Sequence, residues 1–133
     1  FCPETHHAGY RTVTHGGILA TVLDECMGWT GVIARPVLCV SVELTLRYRA
    51  PATSGEALRV RSELLEDKRR MIFARGEITR DDGTLVCSGE GKFVPLPKED
   101  MNAVQTYAAW NTALEDAHQA IVALRGQEAG NHS

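Results

Sequence analysis

Hydrophobic periodicity changes twice along this chain, and the changes divide it into elements. Over residues 17–33, Ile18, Leu19, Val22, Leu23, Cys26, Met27, Trp29 and Ile33 share one broad arc when successive residues turn by ~100°. Thr21, Asp24, Glu25 and Gly28 fall on the other side, with Val32 among them. This predicts a helix over 17–33 that other structure wraps on most sides, and Pro36 stops it. From residue 38 the period drops to two. Leu38, Val40, Val42, Leu44, Leu46 and Tyr48 alternate with Cys39, Ser41, Glu43, Thr45, Arg47 and Arg49, the pattern of a half-buried strand over 38–49. A looser alternation over 57–66 carries Leu58, Val60 and Leu64 on one side. Asp67-Lys68-Arg69-Arg70 then reads as a charged turn, 71–80 as a strand, Asp81-Asp82-Gly83 as a hairpin turn, and 84–94 as the last strand. Beyond the stops at Pro95 and Pro97 the helical period returns. Tyr107, Trp110, Leu114, Ala117, Ile121 and Leu124 make one seam along a helix over 99–125. Residues 1–14 read as irregular.

One helix, a run of consecutive antiparallel strands and a trailing helix make an α+β arrangement with the helix on one face of the sheet. The expected organisation is a domain over 1–97, a helical extension over 98–126 and a frayed tail over 127–133. The extension's seam is read as packing on the body or on a neighbouring subunit, because exposing Tyr107 and Trp110 would be costly.

Composition narrows the classes. With 133 residues, 44% of them apolar, the chain can bury a core as one domain. A formal net charge of −3 argues against a broad nucleic-acid surface. No uninterrupted apolar run approaches the ~20 residues of a membrane helix, and no secretory signal is visible. The chain opens on Phe1 rather than Met, so its start is expected to be missing. Cys2, Cys26, Cys39 and Cys87 form no C-x-x-C pair, and three of them lie within apolar runs. Free thiols in a reducing compartment, hence a cytoplasmic protein, are the simplest reading. His6 and His7 have no partners at metal-ligand spacing, so neither a metal nor a separate cofactor is expected.

The candidate chemistry lies at the start of the first helix. His15-Gly16-Gly17 opens it, and Asp24 follows the histidine by nine residues. Free N–H groups at a helix start can hold an oxygen that gains negative charge, and a carboxylate can act as base or nucleophile. Each residue also has a plainer reading. Asp24 on the minor arc fits a helix-surface carboxylate, and Glu25, turned ~100° away, fits a solvated or interface residue. His15 fits a helix cap. Ser41, on the polar side of its strand, fits a solvent-facing hydroxyl, and Lys68, Arg69 and Arg70 fit a solvated hairpin.

His15-Gly16-Gly17 through Leu23-Asp24-Glu25, followed by Ser41-Val42-Glu43-Leu44-Thr45-Leu46-Arg47-Tyr48-Arg49-Ala50-Pro51, resembles the hotdog-fold thioesterases. The similarity is greatest to the phenylacetyl-CoA thioesterase and thioesterase-superfamily-member group. Gly55-Glu56, the basic turn at 68–70 and Asp82-Gly83-Thr84 continue it, so it covers residues 6–96. The resemblance implies a long sheet wrapped around a central helix and hydrolysis of an acyl-CoA, coenzyme A being part of the substrate. It implies that Gly16 N–H polarises the thioester carbonyl, that Asp24 is general base or nucleophile, and that Ser41 holds the attacking water, with His15 beside them. Gly17, Arg47, Tyr48 and the cations Lys68, Arg69 and Arg70 are the implied substrate contacts, the cations serving the phosphates of coenzyme A. In the family these groups meet across a dimer interface, so Asp24 and Ser41 of one site are expected from different subunits of a homodimer or homotetramer. Some members carry an Asn six residues before the histidine, where this chain has Gly9. Two other functions remain open on the same fold: a hydratase or dehydratase, whose proline-rich histidine motif is absent here, and a non-catalytic acyl-CoA-binding protein.

Overall fold

The computed structural model describes residues 1–35 and 37–97, so the helix expected over 99–125 and the tail lie outside the described residues. The elements are β1 (Ala8–Tyr10), β2 (Val13–Thr14), α1 (Gly16–Ala34), β3 (Cys39–Tyr48), β4 (Leu58–Lys68), β5 (Met71–Arg80) and β6 (Leu85–Pro95). β3 to β6 form one antiparallel sheet in the order β3-β6-β5-β4, which leaves β3 and β4 as its edges. The first residues are more ordered than their composition predicts. Thr5–His7 make a 3-10 turn, β1 and β2 pair, and Phe1 exchanges two backbone hydrogen bonds with Leu58.

α1 packs on one face of the sheet. Leu19, Leu23, Met27 and Gly31, spaced by four, are its buried row. They meet Ile72, Ala74 and Ile78 of β5 and Val86, Cys87 and Phe93 of β6, which complete the core with Ala52 and Leu58. The helix approaches closely at Leu23, because Gly76 lies beneath it: a Cβ there would stand 2.9 Å from Leu23 Cδ2. The buried stripe is narrower than the apolar arc predicted, and Ile18, Val22, Trp29 and Ile33 are only half-buried. By length and hydropathy alone this helix would also serve as a membrane span. Counting uninterrupted apolar residues missed that, because Asp24, Glu25 and the glycines break the run. Its seat against the sheet is that of a core helix.

The hairpins follow local chemistry. At the β5–β6 turn Gly83 takes φ +88°, which a side chain resists, while Asp82 Oδ1 accepts the Thr84 N–H at 2.8 Å. The charged turn is shorter than expected: β4 runs through Lys68, leaving Arg69 and Arg70 at the bend.

Three strands of the main sheet lose strict alternation. The β3–β6 register shifts between Ser41 and Glu43, the β4–β5 register between Leu64 and Glu66, and the β5–β6 register between Ile78 and Thr79, where Val86 is the extra residue of β6. Val42 is the extra residue in β3. Before it, Cys39 and Ser41 face α1; after it, Leu44, Leu46 and Tyr48 do. Ser41 stands opposite buried Phe93, so it belongs to the helix-facing side rather than to the outer polar face on which strict alternation places it.

Candidate active site

The first turn of α1 is built around His15. Its backbone is extended, and its ring Nδ1 accepts the Gly17 N–H at 2.9 Å. Its own N–H donates to His7 O at 2.8 Å, and its carbonyl accepts the Ile18 N–H at 2.9 Å. The imidazole therefore caps the helix, which is the plainer of its two readings. Gly9 lies against this ring, where a Cβ would stand 2.9 Å from His15 Cδ2, so a larger side chain, the expected Asn included, would not fit without movement. Gly17 N–H is thus occupied. Gly16 N–H, which a helix start leaves without an intrahelical partner, has none among the described residues. Tyr48 reaches the same turn from β3, and its hydroxyl donates to Gly16 O at 2.8 Å. Burial pushes the Tyr48 phenol up, with Cys87 adding to the effect, so it remains a neutral donor at physiological pH.

Asp24 lies two turns further along. Its Oδ2 stands 3.5 Å from Ser41 Oγ, at the outer limit of a hydrogen bond. Its Oδ1 is buried and has no hydrogen-bond partner among the described residues. An unpaired buried carboxylate oxygen is costly, so a functional role is the first explanation to test. Asp24 and Ser41 thus approach each other within one chain, because the bulge at Val42 turns Ser41 toward the helix.

Asp24 opens into a cleft of about 360 Å³ between α1 and the first half of β3. Gly28 and Val32 continue the helix row from Asp24, Cys39 and Ser41 form the strand side, and Phe93 lies across from them. Burial pushes the Cys39 thiol up, the nearby Arg35 guanidinium offsetting part of this, so the thiol is a neutral wall at physiological pH. Glu25 also borders the cleft. Its Oε1 accepts the Trp29 indole N–H at 2.9 Å, one turn along, which gives it a bracing contact.

The remaining sequence candidates do not join this cleft. Arg47 belongs to the opposite face of the sheet, where a groove of about 730 Å³ also carries Arg61, Arg75, Glu63, Glu77 and Glu90. None of Lys68, Arg69 and Arg70 lines the Asp24 cleft. Lys68 pairs with Glu66 at 2.8 Å and lies over the Phe73 ring. The turn is held from the end of α1 by Arg35, which donates to Arg69 O at 3.1 Å and pairs with Asp67 at 3.1 Å. Sequence reasoning missed Gly28 and Val32, although their spacing of four from Asp24 was a usable signal. Nothing in the sequence pointed to Phe93.

A carboxylate beside a hydroxyl in an apolar cleft, on a helix laid across an antiparallel sheet, defines a hotdog-fold protein of the thioesterase type. The thioesterase superfamily model matches residues 12–87, and the chain belongs to that family. It is 29% identical over 104 residues to an uncharacterised protein of Schizosaccharomyces pombe, covering 74% of this chain and 59% of that one. Mouse acyl-coenzyme A thioesterase 13 is 26% identical over 94 residues, covering 65% of this chain and 63% of the relative. The chain thus spans about three fifths of the length of these curated relatives. Among solved structures, a Bacillus halodurans protein crystallised with CoA superposes with a TM-score of 0.59 at 31% identity, covering 63% of this chain and 60% of that one.

Proposed function

We propose that the protein is an acyl-CoA thioesterase, cleaving the thioester with water to a carboxylic acid and free coenzyme A. The observation that carries this reading is Asp24, with one oxygen buried and unpaired and the other beside Ser41 in a mainly apolar cleft. In the proposed reaction Asp24 takes a proton from water as the water oxygen bonds to the carbonyl carbon; alternatively it attacks that carbon itself, and water then hydrolyses the mixed anhydride left when the thiolate departs, releasing the acid and restoring the carboxylate. Ser41 orients the water. The carbon–sulfur bond then breaks, and the thiolate of coenzyme A leaves and takes up a proton.

The carbonyl oxygen needs a donor, and Gly16 N–H, without a partner among the described residues, can serve. Gly16 and Asp24 are eight residues apart on one helix, about 12 Å along its axis at ~1.5 Å per residue. Reacting groups must come within ~3–3.5 Å, so the two cannot serve one carbonyl from the same chain. A second copy, placed by a two-fold axis with its α1 antiparallel to the first, sets Gly16 of one chain against Asp24 of the other. The edge strand β3 suits such a pairing, because Val40, Val42, Leu44 and Tyr48 are exposed along it. The relatives named for acyl-coenzyme A hydrolysis and solved with CoA support coenzyme A as the carrier.

The test is thiol release from a panel of acyl-CoA esters, from acetyl to octanoyl and phenylacetyl, by purified protein. The reading predicts turnover on at least one ester. Tight binding of acyl-CoA without thiol release would make the protein a non-catalytic binder instead.

A further inference from the structure

Gly28 sits in the interior of α1, where glycine gives up more backbone freedom than alanine and weakens the helix. Packing explains the neighbouring helix-interior glycine: a Cβ at Gly31 would lie 3.5 Å from Ile72 Cδ1, 3.6 Å from its Cγ2 and 3.7 Å from Cys39 Sγ under the sheet. No such reason holds at Gly28. Among the described residues, a Cβ there would meet only Phe93 Cε1, at an ordinary 3.8 Å. The space that a side chain would fill belongs instead to the cleft, one turn beyond Asp24.

The surroundings of that space are apolar and fixed. Phe93 is 2% exposed, and its ring is folded over Gly91, where a Cβ would stand 2.6 Å from Cε2. Val32 continues the helix row, and Cys39 and Leu38 face it from the strand side. The cleft therefore leads from the Asp24–Ser41 pair, past a missing side chain, into walls that suit hydrocarbon; among the described residues no cation lines it, and the Arg35 guanidinium near Cys39 is paired with Asp67.

We propose that Gly28 determines acyl size: the acyl chain passes over it from the carbonyl at Asp24 toward Val32 and Phe93. This rests on the thioesterase reading and deepens it, assigning the apolar end of the cleft to the acyl group and directing coenzyme A the other way. A methyl group at residue 28 would meet the chain from about its third carbon onward, while an acetyl group ends before it.

The experiment measures kcat/KM for acetyl-, butyryl-, hexanoyl- and octanoyl-CoA with wild type, Gly28→Ala and Gly28→Val, alongside thermal melting. The hexanoyl-to-acetyl ratio should fall roughly tenfold or more in Gly28→Ala, the discrimination expected when a pocket loses about one methylene of room, and further in Gly28→Val. Gly28→Ala should melt no lower than wild type, which separates a filled cleft from a damaged helix. If Gly28→Val fails to fold, Gly28→Ala carries the test alone. An unchanged ratio in an active Gly28→Ala protein, or an equal loss at every chain length, overturns the assignment and leaves the thioesterase reading standing. A wild type inert on these four esters overturns this assignment, and one inert on phenylacetyl-CoA as well overturns the thioesterase reading with it.

Discussion

Asp24 and Ser41 face each other at 3.5 Å because β3 carries one residue more than its partner strand requires. Without the bulge at Val42, the residues before and after it would keep one parity, and either Ser41 or the row Leu44, Leu46 and Tyr48 would turn to the outer face. With it, one strand supplies a hydroxyl to the carboxylate and a tyrosine to the helix start. The carboxylate keeps a second oxygen unpaired and buried. That arrangement is costly for folding alone and useful for proton transfer.

Replacing Asp24 with Asn should preserve the fold and abolish most turnover. The amide has the same shape but is neither a base nor an anionic nucleophile. A loss of several hundred-fold, on the order of 3–4 kcal/mol of barrier, is expected. Steady-state thiol release checks this, and retention of activity within about twofold of wild type would remove Asp24 from the reaction.

Ser41→Ala should cost less, about ten- to a hundred-fold in kcat, because one orienting hydrogen bond is lost while the base remains. At 3.5 Å the contact to Asp24 is long for a hydrogen bond, so Ser41 is a weak direct partner of the carboxylate and its hydroxyl can donate elsewhere. If kcat is unchanged and only the melting temperature shifts, Ser41 is structural.

Sequence periodicity located α1 within one residue at each end and recovered all four long strands, because buried rows repeat every four residues in the helix and every second in the strands. The site was legible where it depends on the helix, from His15 to Asp24. It was illegible where it depends on register. A single inserted residue reverses which side chains face the helix, and neither Val42 nor Leu65 carries a composition that marks a bulge. The resemblance makes both Arg47 and Tyr48 substrate contacts, whereas strand alternation alone sets them on opposite faces, and the structure agrees with the alternation.

The loop before β4 should contribute a pH-dependent part of the stability. Glu56 accepts the Thr53 N–H at 3.1 Å and pairs with Arg80, and these contacts, the backbone donor first, hold its carboxyl below the usual range. A carboxylate with a depressed folded pKa stabilises the fold above its unfolded value, near 4.3, and loses that contribution as pH falls through the folded value. Glu56→Gln should therefore lower stability by about 1 kcal/mol at pH 7, in line with an ion pair reinforced by one backbone contact. The difference from wild type should shrink as pH falls below that unfolded value and close once pH is below the lowered folded one. Urea titrations at a series of pH values from 7 into the acid range would show it, and a difference that stays constant throughout would assign the effect to packing.

Whether one site draws on two chains can be decided by complementation. Gly16→Pro removes the free N–H at the first helical position, where proline is favoured, and His15 already has the extended conformation that precedes proline. The nearby Tyr48 ring must yield slightly, since a Cβ at residue 16 stands 3.1 Å from Cζ. Each variant alone, Gly16→Pro or Asp24→Asn, should lose turnover by roughly a hundred-fold or more. Co-expressed with separate tags and purified through both, the mixed protein contains a two-fold pair with one site lacking both groups and one site intact. Its turnover should recover to about half of wild type per dimer, as two-fold symmetry with a single working site requires. If Gly16 and Asp24 acted within one chain, both sites of the mixed pair would stay damaged and no recovery would appear. A pair that assembles under the double purification yet remains as slow as either variant would therefore overturn the composite site, while leaving Asp24 and Ser41 as neighbours in each chain.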